Sequence, residues 1–404
     1  MLPRVLHAED GKDLTHRIHS KSSLLKFVKY FGPLLILAAV FFIFGARYFD
    51  AQVLKLQATR SNFFPCIKLE TNDLNRLIKP PSILSHNMSD AELFWAASFV
   101  PQVKKYPFKR VAKVAFMFLT RGPLPLSPLW EKFFKGNEAL YSIYIHSLPS
   151  YEASYPKHSV FYKRQIPSQV LFDFQKINLK IQFSLLFIIL PVAEWGRMSM
   201  CDAERRLLAN ALLDISNEWF VLISESCIPL YNFSITYNFL KRSKHSFMGS
   251  FDDRSPYGRG RYNPGMAPFI SMDQWRKGSQ WFEVDRRLAV YIVQDTKYYA
   301  VFKELCKPPC YVDEHYFPTM LHIETPNLIS NRSLTSVDWS RGGAHPATFG
   351  KNDITEEFLR RIHNDLDCVD DGERSLECVL FARKFSPSTL QPLMNFAPAL
   401  LGIR

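Results

Sequence analysis

The pattern of apolar and polar residues predicts regular secondary structure from residue 110 onward. The run VAKVAFMFLT (111–120) is typical of a β-strand and ends at the breaker RGPLPLSP, and ALYSIYIHS (139–147) alternates like a second strand. EWFVLISES (218–226) is typical of a buried strand. The segment between them, SMCDAERRLLANALLDISN (199–217), predicts a helix that starts at Ser199 and Asp202. The apolar face of this helix comprises Ala203, Leu207, Leu208, Ala211 and Ile215.

The order strand, helix, strand predicts an α/β fold with a mostly parallel sheet flanked by helices. In such sheets, ligands bind beyond the carboxyl ends of the strands. The segments LTRG, IHS and SES follow the three predicted strands, so they mark the expected site.

The N-terminal third predicts a membrane anchor and a stem. Residues 30–46 form a run of 17 uncharged residues, which is the short end of what spans a bilayer. Basic residues dominate the preceding tail, residues 1–29, so the tail should be cytoplasmic and the body lumenal. A cleaved signal peptide is the alternative, but its charged leader is normally shorter. Residues 47–108 read as a stem with one helix, SDAELFWAASFV (89–100), capped by Ser89, and residues 109–404 read as the main domain.

The composition predicts a large hydrophobic core and a basic protein. The chain has 404 residues, of which 47% are apolar and 14% aromatic, which predicts a large core and excludes disorder over most of its length. The net charge of +12 favours an anionic partner such as a phosphate, a nucleotide or an acidic glycan. Simple solubility is the alternative explanation of the charge.

Two further features agree with an oxidising lumen. N-x-S/T sequons occur at Asn87, Asn232 and Asn331. Among the 7 cysteines, two close pairs predict local disulfides, and neither has the CxxC or histidine partners of a zinc site. The pairs are Cys306 with Cys310 and Cys368 with Cys378, and the others are Cys66, Cys201 and Cys227.

One stretch, residues 170–191, fits neither of its neighbours. It reads VLFDFQKINLKIQFSLLFIILP, and its uncharged part is too short to span a membrane as a helix. A buried helix or strand is the simple interpretation.

Common catalytic signatures are absent, and so is a convincing metal motif. The sequence lacks GxxxxGK[ST], HExxH and GxSxG, and its only Asp-x-Asp, Asp365-Leu-Asp367, reads as a solvated loop. A diphosphate leaving group would then be met directly by basic side chains. The candidates are Arg341 in VDWSRGGAHPATF and Lys384 in VLFARKF, although a lysine in an apolar run is usually a snorkelling surface residue.

Glu314, in CKPPCYVDEHYFPTML, is the candidate general base. A base that takes a proton from a hydroxyl group should be a positioned carboxylate whose pKa is raised by an apolar surround. The neighbours that would supply this surround are Tyr311, Val312, Tyr316 and Phe317. The alternative is an acid at the N-terminus of a helix PTML, stabilised by the helix dipole.

Several long segments resemble the plant branch of the core-2/I-branching N-acetylglucosaminyltransferase-like proteins. They are CDAERRLLANALLD, FVLISESCIPLYNF, WRKGSQWFEVDRRLA, CKPPCYVDEHYFPTML and VDWSRGGAHPATF. The resemblance runs from about residue 111 to FARKFSP. It implies a GT-A-like fold, type II Golgi topology, a UDP-sugar donor, a glycan or glycoprotein acceptor, and no nucleic acid. Characterised animal relatives transfer N-acetylglucosamine from UDP-GlcNAc with inversion and without a metal.

The resemblance also implies roles for individual residues. Glu314 resembles the catalytic base of the family, and Arg341 and Lys384 resemble the basic residues that face the diphosphate. The segment Ser224, Glu225 and Ser226 would border the acceptor, and Trp281 would lie near the sugar.

Two departures from the family pattern leave alternatives open. His146 stands where animal relatives carry an Asp that helps to hold the nucleotide, and plant relatives pass almost directly from RQIPS to EWG without residues 170–191. That stretch is interpreted as translated intron, which a transcript containing it in frame would refute. Both departures favour the alternative of an inactive, glycan-binding or scaffolding Golgi protein. A lumenal hydrolase would need two facing carboxylates, and the sequence offers one good candidate. The acceptor stays open between an arabinogalactan protein, another cell-wall glycan and a glycolipid.

Overall fold

The structure is a computed structural model, which describes residues 84–99, 106, 108–168, 192–343, 345–364, 368–370, 373–375 and 377–404. The chain divides into two units, 1–73 and 74–404, and all described residues belong to the second. The predicted anchor (30–46), most of the stem, the Asp-x-Asp motif, Cys66 and the stretch 170–191 lie outside the described residues. Among the residues that are described, no helix is long and apolar enough to cross a bilayer.

A six-stranded mixed sheet organises the fold. The strands of the described chain are β1 (Lys113–Leu119), β2 (Tyr141–His146), β3 (Asn217–Ser224), β4 (Ile228–Pro229), β5 (Ser246–Phe247), β6 (Glu283–Asp285), β7 (Ile329–Ser330), β8 (Thr335–Val337), β9 (Cys368–Asp370), β10 (Glu373–Ser375) and β11 (Phe381–Arg383). The main sheet has the order β2-β1-β3-β6-β5-β7. Strands β2, β1 and β3 are parallel, as are β5 and β7, whereas β6 is antiparallel to β3 and β5.

The three parallel strands lie where the apolar runs predict them. All but the first residue of β1 and of β2 are buried, as are all but one of the residues of β3. Near-continuous apolar runs of this kind are typical of strands covered on both faces. The strands are therefore confirmed as the centre of a mixed α/β fold.

Helices cover both faces of this sheet. They are α1 (Asp90–Ser98), α2 (Ser127–Phe134), α3 (Met198–Leu212), α4 (Phe233–Arg242), α5 (Arg286–Gln294), α6 (Lys297–Leu305), α7 (Tyr316–Glu324), α8 (Glu356–Asn364) and α9 (Leu390–Phe396). Helix α1 begins with the predicted capping box, in which the Ser89 hydroxyl accepts from the Glu92 backbone N–H. It packs against α3 and α5, so this part of the predicted stem lies on the body.

The predicted helix 199–217 is shorter than expected. Helix α3 buries Ala203, Leu207, Leu208 and Ala211, as predicted. It ends at Leu212 because Asp214 starts a turn: its side chain accepts from the Ser216 N–H and its carbonyl from Asn217. Ile215 therefore lies in this turn and not on the helix.

A small sheet of order β4-β11-β8 brings the C-terminal segment to the main sheet. Strand β11 is antiparallel to β4 and parallel to β8. Directly after β11, the Phe385 N–H donates to the Ser226 carbonyl at 2.9 Å, and the Lys384 carbonyl accepts from Phe349 at 2.8 Å. These bonds hold residues 383–385 beside the carboxyl end of β3.

Candidate active site

A cleft of about 820 Å³ opens at the carboxyl edge of the parallel strands. Thr120 and Arg121 line it after β1, His146 and Ser147 at the end of β2, and Ser224 and Glu225 at the end of β3, as the topology predicts. Its volume lies within the usual range for small-ligand sites. Glu314, Trp281 and Lys384, which are distant in sequence, line the same cleft.

Glu314 is held by its backbone and by two cations. It ends a 3₁₀ turn, Val312–Glu314, and its carbonyl accepts the Gly278 N–H at 2.8 Å. Its side chain is 14% exposed, and its Oε2 lies 2.9 Å from Arg261 Nη1 and 3.2 Å from Lys277 Nζ. Among the described residues, no hydrogen bond reaches the other oxygen, Oε1. One carboxylate oxygen is thus anchored and the other is without a hydrogen bond from the described residues, in a side chain that lines the cleft.

The expected apolar surround of Glu314 is wrong. Val312, Tyr316 and Phe317 are buried in the core of the protein, and the carboxylate contacts cations. Tyr311 contributes indirectly, because its ring lies 4.3 Å from the Arg261 guanidinium. Glu314 is the partly exposed residue of this turn, whereas its sequence neighbours Val312, Asp313 and His315 are all buried.

The helix-capping interpretation of Glu314 does not describe its contacts either. Helix α7 begins at Tyr316, two residues further on, and no side chain caps it. The Glu314 side chain bonds to Arg261 and Lys277.

Close backbone packing fixes the wall that carries Lys277. A Cβ added at Gly278 would overlap the Gly249 carbonyl oxygen and approach Pro318 at 2.8 Å. Glycine is therefore required here for backbone contact. The Gly278 N–H also donates to the Glu314 backbone carbonyl, so this packing helps to position residue 314 in the cleft wall.

A second group of cations lines the cleft where β11 meets the strand ends. It consists of Arg121, Arg383 and Lys384, with Glu225 as the acid beside them. Burial and then the charge of Arg383 lower the pKa of Lys384, and Arg121 lowers it further, while Glu225 opposes them. Burial also lowers the pKa of Arg383, whose guanidinium lies 4.1 Å from the Trp281 ring. Several positively charged side chains that lie close together, as these three do, can bind an anion.

Arg341 does not lie with these cations, so the structure does not bring it together with Lys384 as the sequence predicts, and its phosphate role stays a prediction. Its side chain is exposed, 6.0 Å from the Phe349 ring, and it is not among the residues that line the cleft. The residues of the same loop that do line the cleft are Trp339, His345 and Pro346. The turn closed by the Gly342 N–H and the Trp339 carbonyl, at 3.0 Å, directs Arg341 away.

The serines at the end of β3 divide between the cleft and the interior. Ser224 is 3% exposed and lines the cleft, and Glu225 lines it as well. Ser226 does not, because its hydroxyl lies 3.0 Å from the Ser224 hydroxyl within the wall. Its role is to support Ser224 and, through its carbonyl, the Lys384 segment.

His146 is a neutral residue at the far end of the cleft. It is 3% exposed, and burial lowers its pKa to about 3. It therefore supplies no charge at neutral pH, unlike an Asp at this position.

Sequence reasoning missed Arg261, Lys277 and Arg383. Lys277 is in the same segment as Trp281 (WRKGSQW), and Arg383 directly precedes Lys384, so both lay in motifs that were already selected. Arg261 reaches Glu314 from 53 residues away, and no local pattern indicates that contact.

Both predicted disulfides are present in the structure. Cys306 pairs with Cys310 just before the Glu314 turn, and Cys368 pairs with Cys378. Cys201 and Cys227 are free and buried.

The three sequons differ in their environment. Asn87 is exposed, while Asn331 is exposed with its Oδ1 accepting the Ser250 N–H. Asn232 caps α4, because its Oδ1 accepts the Ile235 N–H at 3.0 Å. The Asn87 amide is thus the least engaged of the three.

Within the described part of the chain, no group of three or more His, Cys, Asp or Glu side chains could hold a metal ion. Asp253 lines the cleft, and the neighbouring Asp252 pairs with Arg259 at 2.7 Å. Metal independence stays a prediction, since Asp365 and Asp367 lie outside the described residues.

Comparison with known proteins identifies the group to which this fold and site belong. The family model described as Core-2/I-Branching enzyme matches residues 114–181 and 188–363. The chain belongs to the Core-2/I-Branching enzyme family. Glycosyltransferase BC10 of Oryza sativa subsp. japonica is 34% identical over 332 residues, which cover 71% of this chain and 77% of that protein. This Core-2/I-Branching enzyme is accordingly a glycosyltransferase, which implies a nucleotide-sugar donor and a glycan acceptor.

The family match has a gap inside the unusual stretch. It breaks between residues 181 and 188, within the stretch 170–191 that the sequence sets apart. Described residues on either side of that stretch lie near the site, since Ala193 lines the cleft and the Ser168 backbone contacts His146.

Proposed function

We propose that this protein transfers a sugar, with N-acetylglucosamine as the first candidate, from a UDP-sugar to a hydroxyl group of a glycan acceptor. The reaction is a single displacement with inversion, without a metal ion. The predicted anchor at 30–46 would place the body in the Golgi lumen. The proposal depends on one observation: Glu314 and the second group of cations, which is Arg121, Arg383 and Lys384, line the same cleft at the strand ends.

In the proposed step, Glu314 Oε1 accepts the proton of the acceptor hydroxyl while that oxygen forms a bond to the anomeric carbon. The bond from the anomeric carbon to the diphosphate oxygen breaks, and UDP leaves with the electron pair. Arg261 and Lys277 bind Oε2 and hold the carboxylate in a fixed position. A positioned base of this kind contributes about 10²- to 10⁴-fold to the rate.

The departing diphosphate would meet Lys384, Arg383 and Arg121. Fixed cations in a site that excludes water stabilise developing charge strongly. Glu225 is the one acid that opposes the pKa shift of Lys384, so the three cations carry an excess of positive charge that can stabilise an anion. Arg383 and Arg121 here take the part that the sequence assigned to Arg341.

Replacing Glu314 by Gln tests the central role. We expect the Kd for UDP to change less than about twofold and the transfer rate to fall about 10²- to 10⁴-fold. The matched control is Glu324→Gln at the end of α7, where the acid pairs with Lys297 at 3.7 Å outside the cleft. Transfer by Glu314→Gln at the normal rate would show that another group is the base.

A donor screen tests the remaining parts. The full-length protein in detergent is incubated with UDP-GlcNAc, UDP-GalNAc, UDP-Glc and UDP-Gal, with and without a chelator. We expect UDP release with at least one donor, unchanged by the chelator. A glycan-binding scaffold would release UDP from none of them, and a metal-dependent enzyme would lose activity with the chelator.

A further inference from the structure

Two buried carboxyl groups lie at the packing of helix α3 on the Glu314 turn, and the proposed mechanism does not use them. Asp313 precedes Glu314 in the same turn and is 2% exposed, and Glu204 on α3 is 0% exposed. Helix α3 packs against this turn, which brings the two acids to the same interior region. The pair also contacts the wall of the cleft. Gln280 lines the cleft, and its side-chain amide donates a hydrogen bond of 2.8 Å to Glu204 Oε1.

Three oxygens of this pair have no hydrogen bond of good geometry among the described residues, although the backbone N–H groups of Asp313 and Gly196 lie close enough to the Asp313 carboxyl to oppose the rise of its pKa. The three oxygens are both side-chain oxygens of Asp313 and the Oε2 of Glu204. A buried carboxylate with no partner is costly, and such a group takes up a proton instead. Burial raises the pKa of Asp313 to about 7, with the charge of Glu314 as the next cause, and burial and then Asp313 raise the pKa of Glu204.

The surroundings of the pair contain little positive charge. From α3, the groups that face it are Cys201, Asp202 and, beyond Cys201, Arg205. From the turn and the loop across the cleft, Glu314 and Arg261 face Asp313. Arg261 is already bonded to Glu314, so an ionised Asp313 would compete with Glu314 for the same guanidinium.

We propose that Asp313 and Glu204 act as positioning residues in their neutral, protonated form, and that loss of a proton from this pair sets the upper pH limit of sugar transfer. This proposal rests on the proposed role of Glu314. With the pair neutral, Glu314 is the one negative group of its turn and keeps both cations. When the pair releases a proton to solvent at higher pH, the new charge repels Glu314 and draws Arg261 away, and the base leaves its working position.

The test compares pH–rate profiles of the full-length protein and three variants, with UDP-GlcNAc or the best donor of the screen. Asp313→Asn and Glu204→Gln keep the shape of the neutral acid and cannot ionise, whereas Asp313→Ala empties the position. We expect kcat of both amide variants to stay within about threefold of the wild type near pH 6. The alkaline decline of Asp313→Asn should begin at least about one pH unit higher, whereas that of Glu204→Gln should stay near the wild type because Asp313 loses its proton first, and Asp313→Ala should lose about tenfold or more at every pH.

Two results would overturn the proposal. One is an alkaline decline that is unchanged in Asp313→Asn. The other is a loss of transfer in Asp313→Asn at every pH, as expected for Glu314→Gln, because it would mean that Asp313 works as a charged group. If Asp313→Asn does not fold by circular dichroism, the infrared spectrum of the wild type decides, since a carboxyl band that is absent at neutral pH would overturn the proposal. An infrared band of protonated carboxyl groups at neutral pH, lost in the amide variants, gives a readout that stands even if Glu314 is not the base.

Discussion

Replacing Arg383 by Met removes a cation that lines the cleft, whereas replacing Arg341 by Met removes a cation that does not. The two residues carry the same charge and lie 42 positions apart. Arg383 is half-buried in the cleft wall with its guanidinium 4.1 Å from the Trp281 ring, and Arg341 is exposed beside Phe349. The expected effects on donor binding therefore differ, although the chemical change is the same.

The magnitude follows from the setting of each charge. A hydrogen bond between a charged side chain and an anion in a partly buried site contributes about 1.5–3 kcal/mol, which corresponds to about 10- to 150-fold in affinity. A fully exposed charge contributes about 0–1 kcal/mol, or at most about fivefold. We therefore expect Arg383→Met to weaken UDP binding about 10- to 150-fold and Arg341→Met to leave it within about fivefold.

Calorimetric titration with UDP measures the effect directly, and steady-state transfer gives kcat/KM beside it. Because Arg383 also packs on Trp281, its variant needs a thermal melt to show that the fold is kept. Lys384→Met serves as a second cleft variant with an expected loss of the same order. The reasoning fails if Arg341→Met loses as much affinity as Arg383→Met, since the diphosphate would then lie on the exposed loop.

Three further predictions concern the wall around Glu314. Removing the Cys306–Cys310 disulfide with two Ser substitutions should cost about 2 kcal/mol of stability by loop entropy and lower kcat more than UDP affinity, as urea unfolding and kinetics would show. Gly278→Ala should destabilise by about 1–3 kcal/mol because its Cβ meets a backbone carbonyl, whereas Gly260→Ala, whose Cβ would have its nearest neighbour at 3.5 Å, should lose less than about 1 kcal/mol. The third concerns pH. Folding raises the pKa of Asp313 from 3.8 to about 7, so the folded protein holds this proton more tightly than the unfolded chain does. The stabilisation by protonated Asp313 is therefore complete below about pH 4 and is lost as the pH rises through 7. Urea unfolding should show the wild type losing about 4 kcal/mol relative to Asp313→Asn across that window, and parallel curves would refute it.

Much of the scaffold was predictable because local pattern and burial agree there. The strands that end at Leu119, His146 and Ser224 are long apolar runs, and the rule for parallel sheets then gives the edge where ligands bind. Only boundaries shifted: α3 ends at Leu212 because the Asp214 turn competes with the helix. That competition depends on hydrogen bonds to residues further along the chain.

The site was predictable in its position and less so in its contacts. Glu314 and Lys384 were candidates from their local sequence and then from the family resemblance, and the structure brings them to one cleft. Arg341 was selected and Arg383 was not considered, because Arg341 lies in a small-residue loop whereas Arg383 lies within an apolar run. Which one faces the cleft depends on the pairing of β11 with β8, a contact between distant segments.

The two groups of cations in the cleft differ in what they are paired with, and this difference argues for a direction of substrate binding. At the Glu314 end, Lys277 and Arg261 are already matched by the carboxylate, and Asp253 adds a further negative charge. An uncharged sugar hydroxyl suits such a balanced region better than an anion does. At the Lys384 end, the cations exceed the acids, so an anion is stabilised there. The diphosphate should therefore lie toward β11 and the acceptor toward the Glu314 turn, with the anomeric carbon between them beside Trp281.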